Sequence, residues 1–288
     1  MFDIKSLTAT SANARRLIMF SKFNNMIIPN ELIELANSDI VDEEKVKHFS
    51  INFDDNERKA IQYILDWNGR CIILDTNATM SRSIALASVS LRNAIKPVYP
   101  LVMLVKAQNY AHWAKLATQH WPDKKINVFG SPKFVQATSL LHDVEITQSP
   151  DWSADIFITS YSSFIWHDSL QFIKPKQLII DEIENEQSIN YRWAAAVHGL
   201  FYEIKSCLIL INLQQLSFHS GTSNKASLAS IAETPGFLNS LITDYLWAGA
   251  PTSSESYVSL NALTRLSSDK RLPEVLARKY QNIDYVSM

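Results

Sequence analysis

Residues 178–182 read Leu-Ile-Ile-Asp-Glu, an apolar stretch that ends in two carboxylates. At the end of a buried strand an aspartate can hold a metal-bound water, and a glutamate beside it can polarise an attacking water. That is the arrangement a nucleotide hydrolase uses. A structural alternative stays open. Acids that leave a strand and enter a helix N-terminus are favoured there by the helix dipole, whatever the chemistry. Asp181 and Glu182 are the first candidates, with Glu184 two residues on. The pair is equally readable as a relic, or as serving folding by capping the following turn.

Other chemistry is thin. The seven histidines show no metal-ligand spacing with cysteines or carboxylates, and there is no Gly-x-Ser-x-Gly elbow. Cys71 and Cys207 both lie in apolar runs and read as inert core thiols, which fits a reducing compartment. Trp113, Trp121, Trp152, Trp166, Trp193 and Trp247 read as core or interface anchors, with base stacking as the functional alternative. Only 6 glycines occur in 288 residues, few for a chain that would curl backbone around phosphate. The net charge of −2 leaves no electrostatic footprint for nucleic acid, although Arg265, Lys270, Arg271, Arg278 and Lys279 make the tail basic. A composition of 47% hydrophobic and 19% charged residues is that of a soluble globular protein. No apolar run approaches the ~18 residues that span a bilayer, and the N-terminus lacks a signal-peptide core. A cytosolic, nuclear or viral protein is expected, without membrane contact.

The elements that must position these residues follow from hydrophobic periodicity. Residues 1–52 read as a helical extension, with helix starts at Ser11, Asn30 and Asp42. From 53 onward, short continuous apolar runs alternate with amphipathic segments. Strands are expected at 71–74, 101–105, 126–129, 156–158, 178–180 and 208–211, and helices at 57–67, 82–95, 107–121, 162–172 and 191–204. Runs without polar alternation suit strands buried on both faces, so the expected fold is α/β, a parallel sheet flanked by helices. Ile72, Ile73, Val102, Leu104, Ile156, Ile158, Ile179, Ile180 and Leu208 should lie at its centre. Ligands of such sheets bind at the strand carboxyl ends. Residues 213–225 read as a polar loop, 237–247 as a helix, and the tail from Asn261 as a helix followed by a strand at 283–286.

In this order the segments resemble the first RecA-like lobe of the Swi/Snf-type group of superfamily-two helicases, a P-loop NTPase-type fold, over roughly residues 53–288. Glu57-Arg58-Lys59-Ala60-Ile61 resembles the Gln-Arg-x-Gly-Val helix start of that family. Leu101 to Lys106 with Trp113 resembles its next strand and Asn-Trp helix. Asp155 to Tyr161 resembles its Asp-Val-Val-Ile-Thr-Thr-Tyr strand, and Asp181-Glu182-Ile183-Glu184 stands where it has Asp-Glu-Ala-His, the Walker B segment. Leu263-Thr264-Arg265-Leu266 with Leu272-Pro273 resembles the closing segment.

The departures from the family decide the functional expectation. The Walker A loop, Asp-x-Met-Gly-Leu-Gly-Lys-Thr in the family, is here Asp75-Thr76-Asn77-Ala78-Thr79-Met80-Ser81-Arg82. Ala78 and Met80 replace its two glycines, Ser81 its phosphate-binding lysine, and Arg82 its magnesium-binding hydroxyl. Glycine permits the backbone curl that surrounds an anion, and Met80 obstructs it. Glu57 stands for the adenine-reading glutamine, and Asn212-Leu213-Gln214 for a Gly-Thr-Pro. The second lobe has no counterpart here. The resemblance therefore implies a non-catalytic lobe with no cofactor and no small-molecule substrate. It would act as a binding or scaffolding subunit beside another protein in a nucleic-acid-processing assembly, cellular or viral, with DNA or RNA contact open. Lys106, Thr159, Tyr161 and Arg265 are the contact candidates, and Arg82 and Glu184 the charged handles of the partner-facing edge. The alternative is half of a split ATPase completed by a second chain.

Overall fold

The computed structural model describes residues 10–23, 27–49, 51–69, 71–75, 78–130, 144–160, 163, 173–181, 206–212, 262–265 and 285–287. The helices expected at 162–172, 191–204 and 237–247 and the loop at 213–225 lie outside or almost wholly outside these residues.

Among the described residues nine strands form one sheet. They are β1 (Cys71–Asp75), β2 (Leu101–Val105), β3 (Ile126–Phe129), β4 (Ile146–Thr147), β5 (Ile156–Ser160), β6 (Gln177–Asp181), β7 (Cys207–Asn212), β8 (Ala262–Arg265) and β9 (Tyr285–Ser287). Their order is β4-β3-β5-β2-β6-β7-β1-β8-β9, and every pairing is parallel. The α/β parallel architecture is as expected. Continuous burial explains the unbroken apolar runs: Val102, Leu104, Ile156, Ile158, Ile179, Ile180 and Leu208 are all at or below 1% exposure.

Among the described residues six helices accompany the sheet: α1 (Ser11–Phe23), α2 (Asn30–Asn37), α3 (Glu43–Val46), α4 (Asp55–Asp66), α5 (Ala78–Ile95) and α6 (Tyr110–His120), with a 3-10 turn at Ala107–Asn109. Two expectations are corrected. The segment after Asn261 was expected to be helical, but 262–265 is strand β8, laid beside β1. The exposed side of β1 offers unpaired backbone groups, and pairing there outweighs local helix preference. Helix α5 also starts at Ala78, not Arg82. Ala78 and Met80 are good helix formers where glycines would have broken the helix, so residues 78–81 form its first turn.

The N-terminal helices are packed on the lobe. Val41, Val46 and Phe49 belong to the same buried cluster as Ile61, Ile64 and Trp113. Arg15 of α1 reaches Asp66 of α4 through two hydrogen bonds, Nε to Oδ2 at 2.7 Å and Nη2 to Oδ1 at 2.8 Å, and donates to the Ala36 carbonyl at 2.5 Å. Gln62 adds a donor to Asp66 and accepts from the Val41 amide.

His120, at the end of α6, stacks on Phe49 with ring centroids 5.2 Å apart. Burial, with a smaller contribution from His48, holds its imidazole down at about 4. The folded pKa lies below the free value of 6.5, so the stabilisation is whole above pH 6.5 and is lost as pH falls from 6.5 toward 4. With a discount for partial exposure this is worth about 2 kcal/mol. A His120→Phe chain should show a flatter melting curve against pH over that window; equal slopes would place the acid sensitivity elsewhere.

Candidate functional site

Parallel register puts the candidate residues on one edge. Leu104 faces Ile180 across the β2–β6 pair and Val105 faces Ser160 across the β2–β5 pair, so Ser160, Val105 and Asp181 end their strands at one level. Asp75 pairs with Asn212 on one side and Arg265 on the other. Two crossovers leave this edge in opposite directions. The chain runs from β1 through α5 to β2, passing β7 and β6, whereas β7 continues to β8 on the far side of β1. Such a reversal opens a crevice at the carboxyl ends of a parallel sheet.

The crevice is filled from within. Arg82, in the second turn of α5, places Nε and Nη2 each 2.8 Å from Asp181 Oδ2. Trp113 of α6 donates its indole Nε1–H to the same oxygen at 2.8 Å. The guanidinium also lies over the Trp113 ring, 5.8 Å from its centroid. The Asp181 side chain is 2% exposed and that of Arg82 8%; Trp113 is fully buried. A buried carboxylate needs a cation and hydrogen-bond donors, and here both come from the chain itself. The helices that follow β1 and β2 thus meet the end of β6 on one oxygen.

This arrangement does not fit a magnesium-bound nucleotide. The aspartate that would hold a metal-bound water is committed to a guanidinium. The helix turn at 78–81 stands where the resemblance puts a glycine-rich cradle, with Ser81 buried and Met80 half-buried. Arg82 is therefore an internal counter-ion and not an anion-binding or partner-facing group, which corrects the expectation drawn from its place in the sequence.

The other candidates divide. Lys106 is half-buried at the carboxyl end of β2 and remains on the edge. Thr159 is fully buried inside β5, so it is not a surface contact; a strand residue covered on both faces presents nothing to a partner. Arg265 ends β8 beside Asp75. Thr79 is exposed on the first turn of α5, whose N-terminal residue is Ala78. Asn77, Tyr161, Glu182 and Glu184 lie outside the described residues. Glu57 is not poised to read a base. It is buried and closes a capping box, accepting from the Asp54 amide at 2.8 Å while Asp54 accepts from the Glu57 amide at 2.8 Å.

One buried polar centre gave no sequence signal. Arg92, near the other end of α5, donates to Gln177 Oε1, to Ser206 Oγ at 2.7 Å and to Asn68 Oδ1 at 3.4 Å. It ties the amino ends of β6 and β7 to the end of α4, where Gly69 adopts φ +70°. A Cβ on Gly69 would run into the Arg92 guanidinium, so the left-handed backbone and the buried arginine both favour glycine. Helix α5 thus carries a buried arginine to each end of the sheet.

The chain matches no protein-family model and no curated protein sequence. Among solved structures it is similar to the Sulfolobus solfataricus SWI2/SNF2 ATPase core domain, with TM-score 0.49 and 18% identity over 78% of this chain and 45% of that one. The same core in complex with dsDNA gives TM-score 0.47 and 17% identity over 78% and 47%. The UvsW helicase from bacteriophage T4 gives TM-score 0.40 and 10% identity, covering 76% of each chain. This chain thus spans about half the length of the Sulfolobus core. Among the described residues no helix is long and apolar enough to cross a membrane.

Proposed function

We propose that this chain is a helicase-like lobe that does not turn over nucleotide. It serves as a binding or scaffolding subunit in a nucleic-acid-processing assembly, cellular or viral, with another protein as its main partner. The observation that supports this reading is the buried Arg82–Asp181 pair at the carboxyl edge of the sheet. It closes the crevice that a nucleotide hydrolase of this architecture would keep open. The pair also weighs against the split-ATPase reading. A second lobe supplied by another chain could bring an arginine finger, but it would leave Arg82 on Asp181.

The partner-facing surface is then the rest of the same edge. Lys106 remains there, the Arg265 backbone flanks it, and β7 ends there at Asn212. Direct DNA or RNA contact through these groups is the finer alternative. Affinity capture of the full chain with and without nuclease separates the two, because a protein partner survives nuclease and a nucleic-acid tether does not. Charge reversal belongs at Lys106 and Glu184, since reversing Arg82 would break the core.

The nucleotide test is direct. With ATP and magnesium the purified chain should show no turnover above background and no melting shift. A ligand at about 100 times its Kd would stabilise by about 2.7 kcal/mol, which a melting curve resolves. Ser81→Lys alone should not create binding, because residues 78–81 remain helix. A clear shift of the wild type at millimolar ATP would sink this reading.

A further inference from the structure

We propose that the N-terminal helices form a docking groove for a basic, amphipathic segment of a partner protein. Residues 27–47 carry six acids against two lysines. Among the described residues, three of the five exposed large hydrophobic side chains also fall there: Ile27 at 95%, Ile33 at 41% and Ile40 at 48% exposure. A single exposed isoleucine is ordinary. Three in one short stretch, the last of them lining a cavity, mark an interaction surface. The inference names a second face and the chemistry of its partner, and it does not depend on the closed nucleotide site.

The cavity holds about 570 Å3 and lies between α1, the end of α2, the turn into α3 and α4. That is room for apolar side chains of a partner. Ile18, Ala36, Ile40, Val41 and Tyr63 give it apolar walls. Several of its polar groups are already committed: Arg15 and Gln62 to Asp66, and Arg58 to Asp55 and the Phe53 carbonyl. Ile33 stands one turn before Asn37 on the same face of α2, so it extends the apolar strip away from the cavity. The charges around this strip are mostly negative. Glu31, Glu34 and Glu43 are exposed and have no ion-pair partner among the described residues; Lys59 on α4 is a lone exposed cation against them. Such a rim works against phosphate, so nucleic acid is the wrong occupant. A helix with aliphatic side chains on one face and lysine or arginine beside them satisfies both the strip and the rim. The apolar side chains would fill the groove, and the charges would steer the encounter.

The test titrates the full chain into a fluorescently labelled helical peptide of leucine and lysine, with the leucines on one face, and reads anisotropy. A peptide with glutamate for every lysine is the control. The wild type should bind the first and not the second. Glu34→Lys with Glu43→Lys should weaken binding about tenfold or more, because two attractions become repulsions. Asp123→Lys with Glu145→Lys, an equal charge change away from the groove, should leave it unchanged. Ile33→Asn with Ile40→Asn should also weaken it about tenfold or more, through lost apolar contact. All these positions are exposed, so melting temperatures should stay near that of the wild type. No binding of the lysine peptide overturns the proposal, as does equal binding of both peptides. So does equal weakening by the two charge pairs, or an isoleucine variant that binds like the wild type. Sedimentation of the chain alone and competition by a single-stranded oligonucleotide cover the other occupants. A dimer broken by the isoleucine variant would assign the groove to a second copy, and displacement of the peptide by the oligonucleotide would assign it to nucleic acid; either overturns the proposal. The result is separable from the nucleotide test, since peptide binding says nothing of a melting shift with ATP.

Discussion

Asp181→Ala should destabilise the chain by about 3–5 kcal/mol, whereas Arg82→Met combined with Asp181→Leu should cost far less. Removing the carboxylate alone leaves the Arg82 guanidinium buried without its counter-ion and takes the acceptor from Trp113 Nε1. The desolvation cost of the charge is then uncompensated. Replacing both partners by apolar groups of similar volume removes the charge and fills the space; the indole N–H is left wanting, at about 1–3 kcal/mol. Arg82→Met alone should behave like Asp181→Ala, since it strands the other charge. Denaturant midpoints at unchanged slope measure all three. If either single variant lies within about 1 kcal/mol of wild type, the pair is not the anchor of this edge. Strongly additive losses would mean that the two side chains act independently, contrary to their 2.8 Å contacts.

Asp181 shows what could be read before folding and what could not. An apolar run ending in Asp-Glu marks the carboxylate as unusual, and the parallel sheet places it at a ligand-binding edge. Its partner is 99 residues away, and nothing in local periodicity links them. A signal did exist: the position that should have carried a small hydroxyl carries a long cation while the aspartate is kept. A charge gained in one segment beside a charge kept in another is the sequence trace of an internal pair. Glu57 teaches the opposite lesson. Asp54-x-x-Glu57 is a capping-box spacing legible from four residues, yet the resemblance marked the glutamate only as a departure from an adenine-reading glutamine. The strand cores were legible because burial on both faces leaves no polar alternation. Strand β8 was not, because its state depends on the open side of β1. Arg92, Gln177 and Ser206 were invisible because their meeting depends on strand order, which propensity does not encode.

Removing residues 1–52 should destabilise the remaining lobe more than any single substitution above, because the N-terminal helices supply part of its core. Ala14, Ala36, Val41, Val46 and Phe49 are each below 9% exposure. Phe49 packs edge-on against Phe53 with centroids 6.1 Å apart and stacks on His120 of α6. At roughly 25 cal/mol per Å2, these side chains together are worth about 5–8 kcal/mol, an upper bound because a compact unfolded chain already hides some of that area. The loss does not end there. Asp66 would keep Gln62 but lose both hydrogen bonds from Arg15, and Trp67 would lose the Arg16 guanidinium that lies 5.1 Å from its ring centroid. A milder version isolates the latch: Arg15→Ala leaves the apolar contacts and should cost about 2–4 kcal/mol, since it strands a largely buried carboxylate. The order of melting temperatures should be wild type, then Arg15→Ala, then the truncated chain. Soluble truncated protein that melts with the wild type would make residues 1–52 an appendage. That result would return the face of α4 around Asp66 and Trp67 to the set of surfaces open to a partner.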